Sequence, residues 1–291
     1  MNDGEAMLID GGNADDSRLL VSYLKKQGVN HLDYVICTHA HEDHVGGLSG
    51  PLSVFGVDEV YAPKTENDIK AYTNFKKTAL KNVDEIKNPK IGEKIELGES
   101  VFTFLGPVSE DPDNLNNTSI IMRGVFGETS FLFTGDAERE SELAVLDTGN
   151  VLQSTVLLAG HHGSSTSNSY VFLREVMPQF AVISVGKGND YGHPHDEVLS
   201  RFKNLNAEIY RTDLQGTVIA HSDGKTVTFS TSKTEEENLQ NTESLYIGNK
   251  NSKKFHQSNC SSLPSEKNSV YFNTKEDAVK SGYSPCGGCK P

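Results

Sequence analysis

T-H-A-H-E-D-H-V-G-G, from Thr38 to Gly47, packs three histidines and two acids into the ten residues after the apolar run D-Y-V-I-C (Asp33 to Cys37). The run reads as a short strand, so these polar side chains sit at a strand's C-terminal end. His39 and His41 are two apart and project to the same side of an extended segment. Asp43 and His44 fall at the start of the next helix and can turn toward the same point. Three imidazoles and a carboxylate at this spacing form a ligand set for Zn²⁺ or another divalent first-row metal. A loop of helix caps would not concentrate three of the chain's ten histidines in this way.

Two later stretches share the character. F-L-F-T-G-D-A-E (131–138) puts Asp136 at the end of an apolar strand, as a helix N-cap or, in this company, a metal-bridging carboxylate. V-L-L-A-G-H-H-G-S-S (156–165) puts His161 and His162 at the end of another. Neighbouring residues point different ways, so at most one of the two is expected to ligate the same ion.

Around these motifs the first 230 residues alternate strands and helices. Ala6 to Asp10 reads as a strand, with no room for a partner strand before it. Asp15 or Asp16 can cap a helix bearing Leu19, Leu20, Tyr23 and Leu24, which Gly28 closes. Helices are expected over 67–82, 137–146, 169–177 and 197–205. Strands are expected over 91–97, 101–105, 119–122, 130–133, 155–158 and 181–185, with three more between 209 and 229. Strands in runs, broken by helices, imply stacked sheets flanked by helices. Cys37, inside its apolar strand, reads as a buried free thiol.

Residues 231–245 then form an acidic, polar linker, and 246–291 a separate module. His256-x₃-Cys260 and Cys286-x₂-Cys289 are two ligand pairs that together make a closed tetrahedral zinc set. A module this short is expected to owe much of its folding to that Zn²⁺.

Lys plus Arg is 27 and Asp plus Glu 40, a net charge of −13, which excludes a broad basic nucleic-acid face for the whole chain. The average hides a division. The module has seven lysines against three acids, a formal +4, which leaves −17 on residues 1–245. Lys250, Lys253 and Lys254, beside Tyr246 and Phe255, are expected to meet a phosphate backbone and stack on a base. No run approaches the roughly eighteen apolar residues of a membrane span, and Met1 to Glu5 is too polar for a secretory signal.

The H-x-H-x-D-H motif, the T-G-D and the G-H-H-G-S resemble those of the metallo-β-lactamase fold. N-N-T-S (116–119) and Y-G-H-P-H (191–195) narrow the resemblance to the hydrolase domain of ComEC-type DNA-uptake (competence) proteins. The tail is similar to the small zinc-binding domain of the Ada DNA-repair protein, with His256 where Ada has a cysteine. The resemblance implies an α/β fold, the αββα sandwich, with its metals in a cleft at one edge. Relatives carry a strand before the segment matching Gly4 to Ala6. The chain is therefore expected to begin inside a longer protein, and exported relatives imply an extracellular or cell-surface location.

By the same resemblance His39 and His41 hold one metal, Asp43, His44 and His161 the other, and Asp136 bridges them. Two such metals clamp both oxygens of a phosphoryl displacement and activate a hydroxide at neutral pH. Asp43, His162 and His193 are the catalytic candidates. Asn117, Ser164 and His195 are the substrate-binding ones, and Lys187 is a further phosphate contact. His31 and His221 are taken as surface residues. One departure stands out: no histidine lies between His44 and His161, and Asn116 or Asn117 occupies that place. An amide oxygen is a harder, weaker ligand, which leans the cleft from Zn²⁺ toward Mn²⁺ or Mg²⁺. The expected function is a metal-dependent phosphodiesterase or nuclease acting on DNA. The alternatives are a small-molecule ester, lactone or phosphate-ester hydrolase, and a DNA-binding or tethering protein with a vestigial site.

Overall fold

The computed structural model describes residues 4–233, 246–257, 260–272 and 275–289. They divide into two compact units. In the first, β1 (Met7–Ile9), β2 (His31–Ile36) and β3 (Gly56–Tyr61) make a parallel sheet in that order. A seven-stranded sheet follows, built from β4 (Lys94–Leu97), β5 (Ser100–Phe104), β6 (Met122–Phe126), β7 (Thr129–Phe133), β8 (Val156–Leu158), β9 (Phe180–Ile183) and β10 (Glu208–Arg211). Its order is β10-β9-β8-β7-β6-β5-β4. The strands from β7 to β10 run parallel, and those from β4 to β7 antiparallel. A hairpin of β11 (Val218–Ser222) and β12 (Val227–Thr231) follows.

Strand alternation sorts the side chains into layers. Ile36, Tyr61, Phe104, Ile120 and Met122 pack between the two sheets. Val35 and Val60 face outward from the small sheet, and Leu32 and Val57, near the strand starts and off strict alternation, join the same cluster. They are covered by α1 (Ser17–Lys26), the single-turn α2 (Glu42–Val45), α3 (Ser49–Val54) and α4 (Lys70–Ala79). Leu132, Leu157, Ala181 and Ile183 of the large sheet lie under α5 (Arg139–Asp147), α6 (Tyr170–Val176) and α7 (Asp196–Asn204). The result is the αββα sandwich. Cys37 is fully buried within it as a free thiol.

Local chemistry sets the boundaries. Gly28 closes α1 in the left-handed region at φ +81°, as expected. Asp16 does not cap that helix with its side chain; its carboxylate accepts from Asn13 N–H instead. Asn67 Oδ1 accepts from Ile69 N–H, which delays α4 to Lys70. The expected strand at 119–122 is shifted to β6, because Ser119 N–H turns back to Asn116 O and Ile120 N–H crosses to Thr38 O. Glu138 stays extended rather than helical, since its N–H is held by Asn117 Oδ1, and α5 begins at Arg139.

The second unit comprises Leu214–Thr217 and Thr231–Pro291. The four residues at 214–217, which include the end of α8 (Thr212–Gln215), group with it. Lys233 N–H donates to Gln215 O and Ser232 N–H to Thr217 O. The acidic stretch expected to act as a linker lies, over 234–245, outside the described residues. The sheet order here is β15-β13-β14-β16, from β13 (Tyr246–Asn249), β14 (Lys254–Gln257), β15 (Ser269–Phe272) and β16 (Ser284–Pro285). With α9 (Lys275–Lys280) it encloses a core of Phe255, Phe272, Ala278 and Tyr283. Phe255 is fully buried, so its ring is not free to stack on a base as expected, and the partly buried Tyr246 packs edge-on against it at 5.4 Å. Lys253 Nζ sits 4.7 Å above the Tyr283 ring. No helix among the described residues is long and apolar enough to cross a membrane.

Candidate metal centre

The site is assembled just beyond the C-terminal ends of β1, β2, β7, β8 and β9, the place where parallel sheets present functional side chains. Asp10, Thr38 to His44, Asp136, His161, His162 and Ser184 lie there. Two glycine pairs let the first two loops touch. A Cβ on Gly11 would come 2.5 Å from Leu48 N. Gly11 N–H donates to His44 O (2.7 Å) and Gly47 N–H to Gly12 O (3.0 Å). This contact fixes Asp10 against the helix turn that carries His44.

Asp136, 3% exposed, is the centre of the arrangement. Its Oδ1 lies 3.1 Å from His44 Nε2. Its Oδ2 lies 3.8 Å from His39 Nε2 and 3.7 Å from His161 Nε2. His39 Nε2 meets His41 Nδ1 at 3.0 Å. On the other side His162 Nε2 is 3.2 Å from Asp43 Oδ2 and 3.3 Å from His44 Nε2. Asp43, His44, Asp136 and His162 each offer one atom to a group within 4.8 Å of one another.

The far nitrogens determine which atoms face the cleft. His44 Nδ1 donates to Asp10 Oδ2 (2.7 Å) and His162 Nδ1 to Ser184 O (2.8 Å). Thr38 Oγ1 donates to Asp10 Oδ2 (2.7 Å), which leaves it to accept from His39 Nδ1 at 3.2 Å. These tautomers, assigned from the network, aim bare Nε2 lone pairs of His39, His44 and His162 inward. The His44 and His162 lone pairs, 3.3 Å apart and beside carboxylates, repel unless a cation or proton lies between them. The donor set therefore fits divalent metal.

Charge balance within the protein shows the same need. Burial, then the charge of His44, push the His39 pKa down to about 3. Burial opposes charge on His44 too, but Asp10 and Asp136 outweigh it and raise its pKa well above the ordinary value. Asp136 is driven far below the usual carboxylate range, because His44 and His39 overcome the burial penalty. Asp43 is likewise lowered to about 2, its desolvation outweighed by the hydrogen bond from His162 and the charge of His44. Protons thus occupy the place a metal takes when it binds.

Several expected roles change. His162, expected in a catalytic role, lies in one donor group with Asp43, His44 and Asp136, whereas His161, expected in that set, stands outside the group with its Nε2 3.7 Å from Asp136 Oδ2, the oxygen that His162 Nε2 also approaches at 3.8 Å. Both residues adopt left-handed backbone, at φ 50° and 54°, and this turn aims adjacent imidazoles at one carboxylate. Asn117 is buried and ties Glu138 N–H and Ser141 Oγ instead of facing substrate. Its neighbour Asn116 lines the cleft, and Asn116 Oδ1 is a buried acceptor without a partner among the described residues. Ser164 is buried and bonded to Thr166. His195 Nδ1 accepts from Ser165 N–H, which makes it a brace for the 163–165 turn. His193 does line the cleft, edge-on to His161 at 5.6 Å. Burial and the nearby His161 lower its pKa to about 4, so it is neutral at pH 7.

Asp10 was not singled out in the sequence, although L-I-D-G-G after a strand is the signal that marks it. Glu142 was missed as well. Its buried carboxylate accepts from Asn168 N–H (2.5 Å) and Ser169 N–H (3.0 Å). Asn168 in turn clasps Gly160 through both amide atoms. This chain of contacts sets the loop that carries His161 and His162.

In the second unit His256, Cys260, Cys286 and Cys289 bring their donor atoms within 4.8 Å of one another. His256 Nδ1 lies 3.3 Å from Cys260 Sγ. Backbone N–H groups of Cys289 and Gly288 lower the Cys286 pKa and favour its thiolate. One imidazole and three sulfurs fit a structural Zn²⁺.

Residues 2–187 match the metallo-beta-lactamase superfamily. The chain belongs to that superfamily. Residues 232–291 match the metal binding domain of Ada. Among curated superfamily relatives, "ComE operon protein 3" of Bacillus subtilis (strain 168) is 32% identical over 213 residues, 73% of this chain and 27% of that protein. "Competence protein ComA" of Neisseria gonorrhoeae is 32% identical over 214 residues, 72% of this chain and 28% of its own. The chain thus spans about a quarter of the length of these relatives. The solved metallo-beta-lactamase fold protein YhfI from Bacillus subtilis superposes with a TM-score of 0.42 at 18% identity, over 70% of this chain and 83% of that one. Family and donor set together make the chain a metal-dependent hydrolase of the superfamily.

Proposed function

We propose that this hydrolase is a phosphodiesterase acting on nucleic acid, with DNA as the leading substrate. One observation carries the reading. Two cavities, each of about 360 Å³, share Asp43, Asp136 and His162. One is walled by Ile9, Leu19, Leu20 and Phe133, the other by His41, Asn116, Tyr191 and His193. A group bound at the donors is therefore flanked by space on both sides, which suits a diester within a chain better than a terminal ester. The competence relatives point the same way.

His39, His41 and His161 would hold one ion and Asp43, His44 and His162 the other, with Asp136 between them. Bound divalent ions supply Lewis acidity and lower the pKa of water. Asp43, ionised and half-exposed, would orient the attacking water as a hydrogen-bond acceptor. Neutral His193, which lines the same cavity, would donate a hydrogen bond to the leaving oxygen. Which of Mn²⁺, Mg²⁺ and Zn²⁺ serves is part of the same test. The competence relatives are also the ground for placing the activity at the cell surface or outside the cell, which fractionation checks.

Single-stranded DNA and a simple chromogenic phosphodiester are incubated with the full chain under each of the three metals, with Asp43→Ala as control. Cleavage that the substitution abolishes supports the reading. Ester or lactone turnover without cleavage of either phosphodiester sinks it and favours a small-molecule hydrolase. Module-dependent DNA binding with no turnover favours a tethering protein.

A further inference from the structure

The loop from Gly186 to His195 presents an aromatic ring that the fold does not bury. Tyr191 is 79% exposed, yet it lines the cleft beside His41, Asn116 and His161. One face of its ring lies against His193, with centroids 5.7 Å apart and planes 26° from parallel. The other face has no aromatic neighbour among the described residues. The loop is nevertheless held in shape by one side chain. Asn189 Nδ2 donates to Gly186 O (3.1 Å) and His193 O (2.7 Å). Asn189 Oδ1 accepts from Tyr191 N–H (3.2 Å) and His193 N–H (3.0 Å). Its two donors and two acceptor sites are all used within the loop.

We propose that Tyr191 is a stacking platform for an unpaired nucleobase of the strand being cleaved, with Asn189 as its positioning residue. The proposal rests on the phosphodiesterase reading and narrows its substrate to single strands. A base within a duplex has both faces covered by its neighbours, whereas an unstacked base can lie on an aromatic ring. The need for such a contact follows from charge. Residues 1–245 carry a formal −17, so a phosphate chain gains little from the overall charge of that part of the protein. Stacking gives affinity without cations, and it does not depend on which base is present.

The full chain is titrated with two single strands of equal length, one containing 2-aminopurine among ordinary bases and one abasic throughout. Binding is read by fluorescence quenching and anisotropy, and cleavage under the active metal. Wild type is expected to prefer the base-bearing strand by about 5- to 150-fold and to quench the 2-aminopurine. Tyr191→Ala should bring that preference close to one and lose the quenching. Tyr191→Phe should keep both, because the ring and not the hydroxyl stacks. Asn189→Ala should fall between. Unchanged preference and quenching in Tyr191→Ala overturns the proposal. So does equal handling of the two strands by wild type, which leaves the phosphodiesterase reading standing. If wild type cleaves neither strand under any of the three metals, both fall.

Discussion

Replacing Asp10 by asparagine changes few atoms but reverses one hydrogen bond on which the His44 lone pair depends. The carboxylate accepts from Thr38 N–H at Oδ1 (2.8 Å), and from Thr38 Oγ1 and His44 Nδ1 at Oδ2 (both 2.7 Å). An asparagine can keep the Thr38 N–H bond with its own oxygen. Its NH₂ then faces His44 Nδ1, and two donors cannot share that contact. His44 Nδ1 must become the acceptor, so the proton moves to Nε2 and the inward lone pair is lost. The flipped amide places NH₂ against Thr38 N–H, which is no better. Changes in such outer partners weaken metal binding by about 10- to 100-fold, or roughly 1.4 to 2.8 kcal/mol.

Asp10→Ala is the informative contrast. Asp10 has φ 57°, a left-handed conformation that asparagine tolerates and alanine does not. Alanine also leaves the Thr38 N–H without an acceptor, at about 1–3 kcal/mol. It does not, however, dictate a tautomer to His44. The two variants should therefore cross over. Alanine should lower the metal-free melting temperature more, while asparagine should weaken metal at least as much. Dissociation constants for Mn²⁺ and Zn²⁺, measured by chelator competition on the full chain beside melting curves without metal, read both quantities. If asparagine binds metal as wild type does, Asp10 does not fix the His44 tautomer, or His44 is not a ligand.

The two adjacent histidines give a second prediction. His161→Ala and His162→Ala should each remove about one equivalent of cleft metal, which metal analysis after desalting would detect. Loss of both ions from one variant and none from the other would contradict the division of donors about Asp136. A third concerns pH. Burial raises the Glu142 pKa above its ordinary 4.5 despite the N–H donors around it. The folded state then binds this proton more tightly than the unfolded one. Its stabilisation is present below the unfolded pKa and is lost as pH rises through the folded value. Relative to Glu142→Gln, wild type should lose stability as pH rises from about 4.5 and level off above the folded pKa, as urea midpoints at a series of pH values would show. A difference that grows in favour of wild type would mean that the N–H bonds outweigh burial. In the tail, Cys286→Ser should release the zinc and expose residues 246–289 to protease, with melting of the hydrolase unit unmoved. A protease-resistant, zinc-free tail would show that its small core suffices.

The hydrolase fold was legible because its chemistry is local. His39, His41, Asp43 and His44 lie on one short turn after a strand, and neither their spacing nor the apolar runs around them needed a partner to be read. What escaped was set by contacts between distant segments. The roles of His161 and His162 hinge on two consecutive left-handed residues, a conformation that nothing in the letters G-H-H-G dictates. Asn116 and Asn117 differ only in which one Glu138 N–H captures from 21 residues away. Asp10 and Glu142 act through hydrogen bonds to His44 and Asn168, 34 and 26 residues distant. The tail divides in the same way: the cysteine spacing announced the ligands, but the burial of Phe255 under Tyr246 is a tertiary fact that the lysine-rich sequence around them hides.

A net −13 argues against a polyanionic substrate only if charge acts as an average. In the cleft, Asp10, Asp43 and Asp136 stand among histidines whose lone pairs face inward. Two divalent ions would bring four positive charges to that point, more than three carboxylates cancel. The local sign then opposes that of the unit around it. A phosphate would be attracted only where it can be cut, and the acidic surface elsewhere would give a long strand little reason to stay bound. Such an enzyme should depend on its metal for substrate binding as well as for chemistry. Strand affinity measured with and without metal is therefore expected to separate by more than the loss of any one side chain in the cleft.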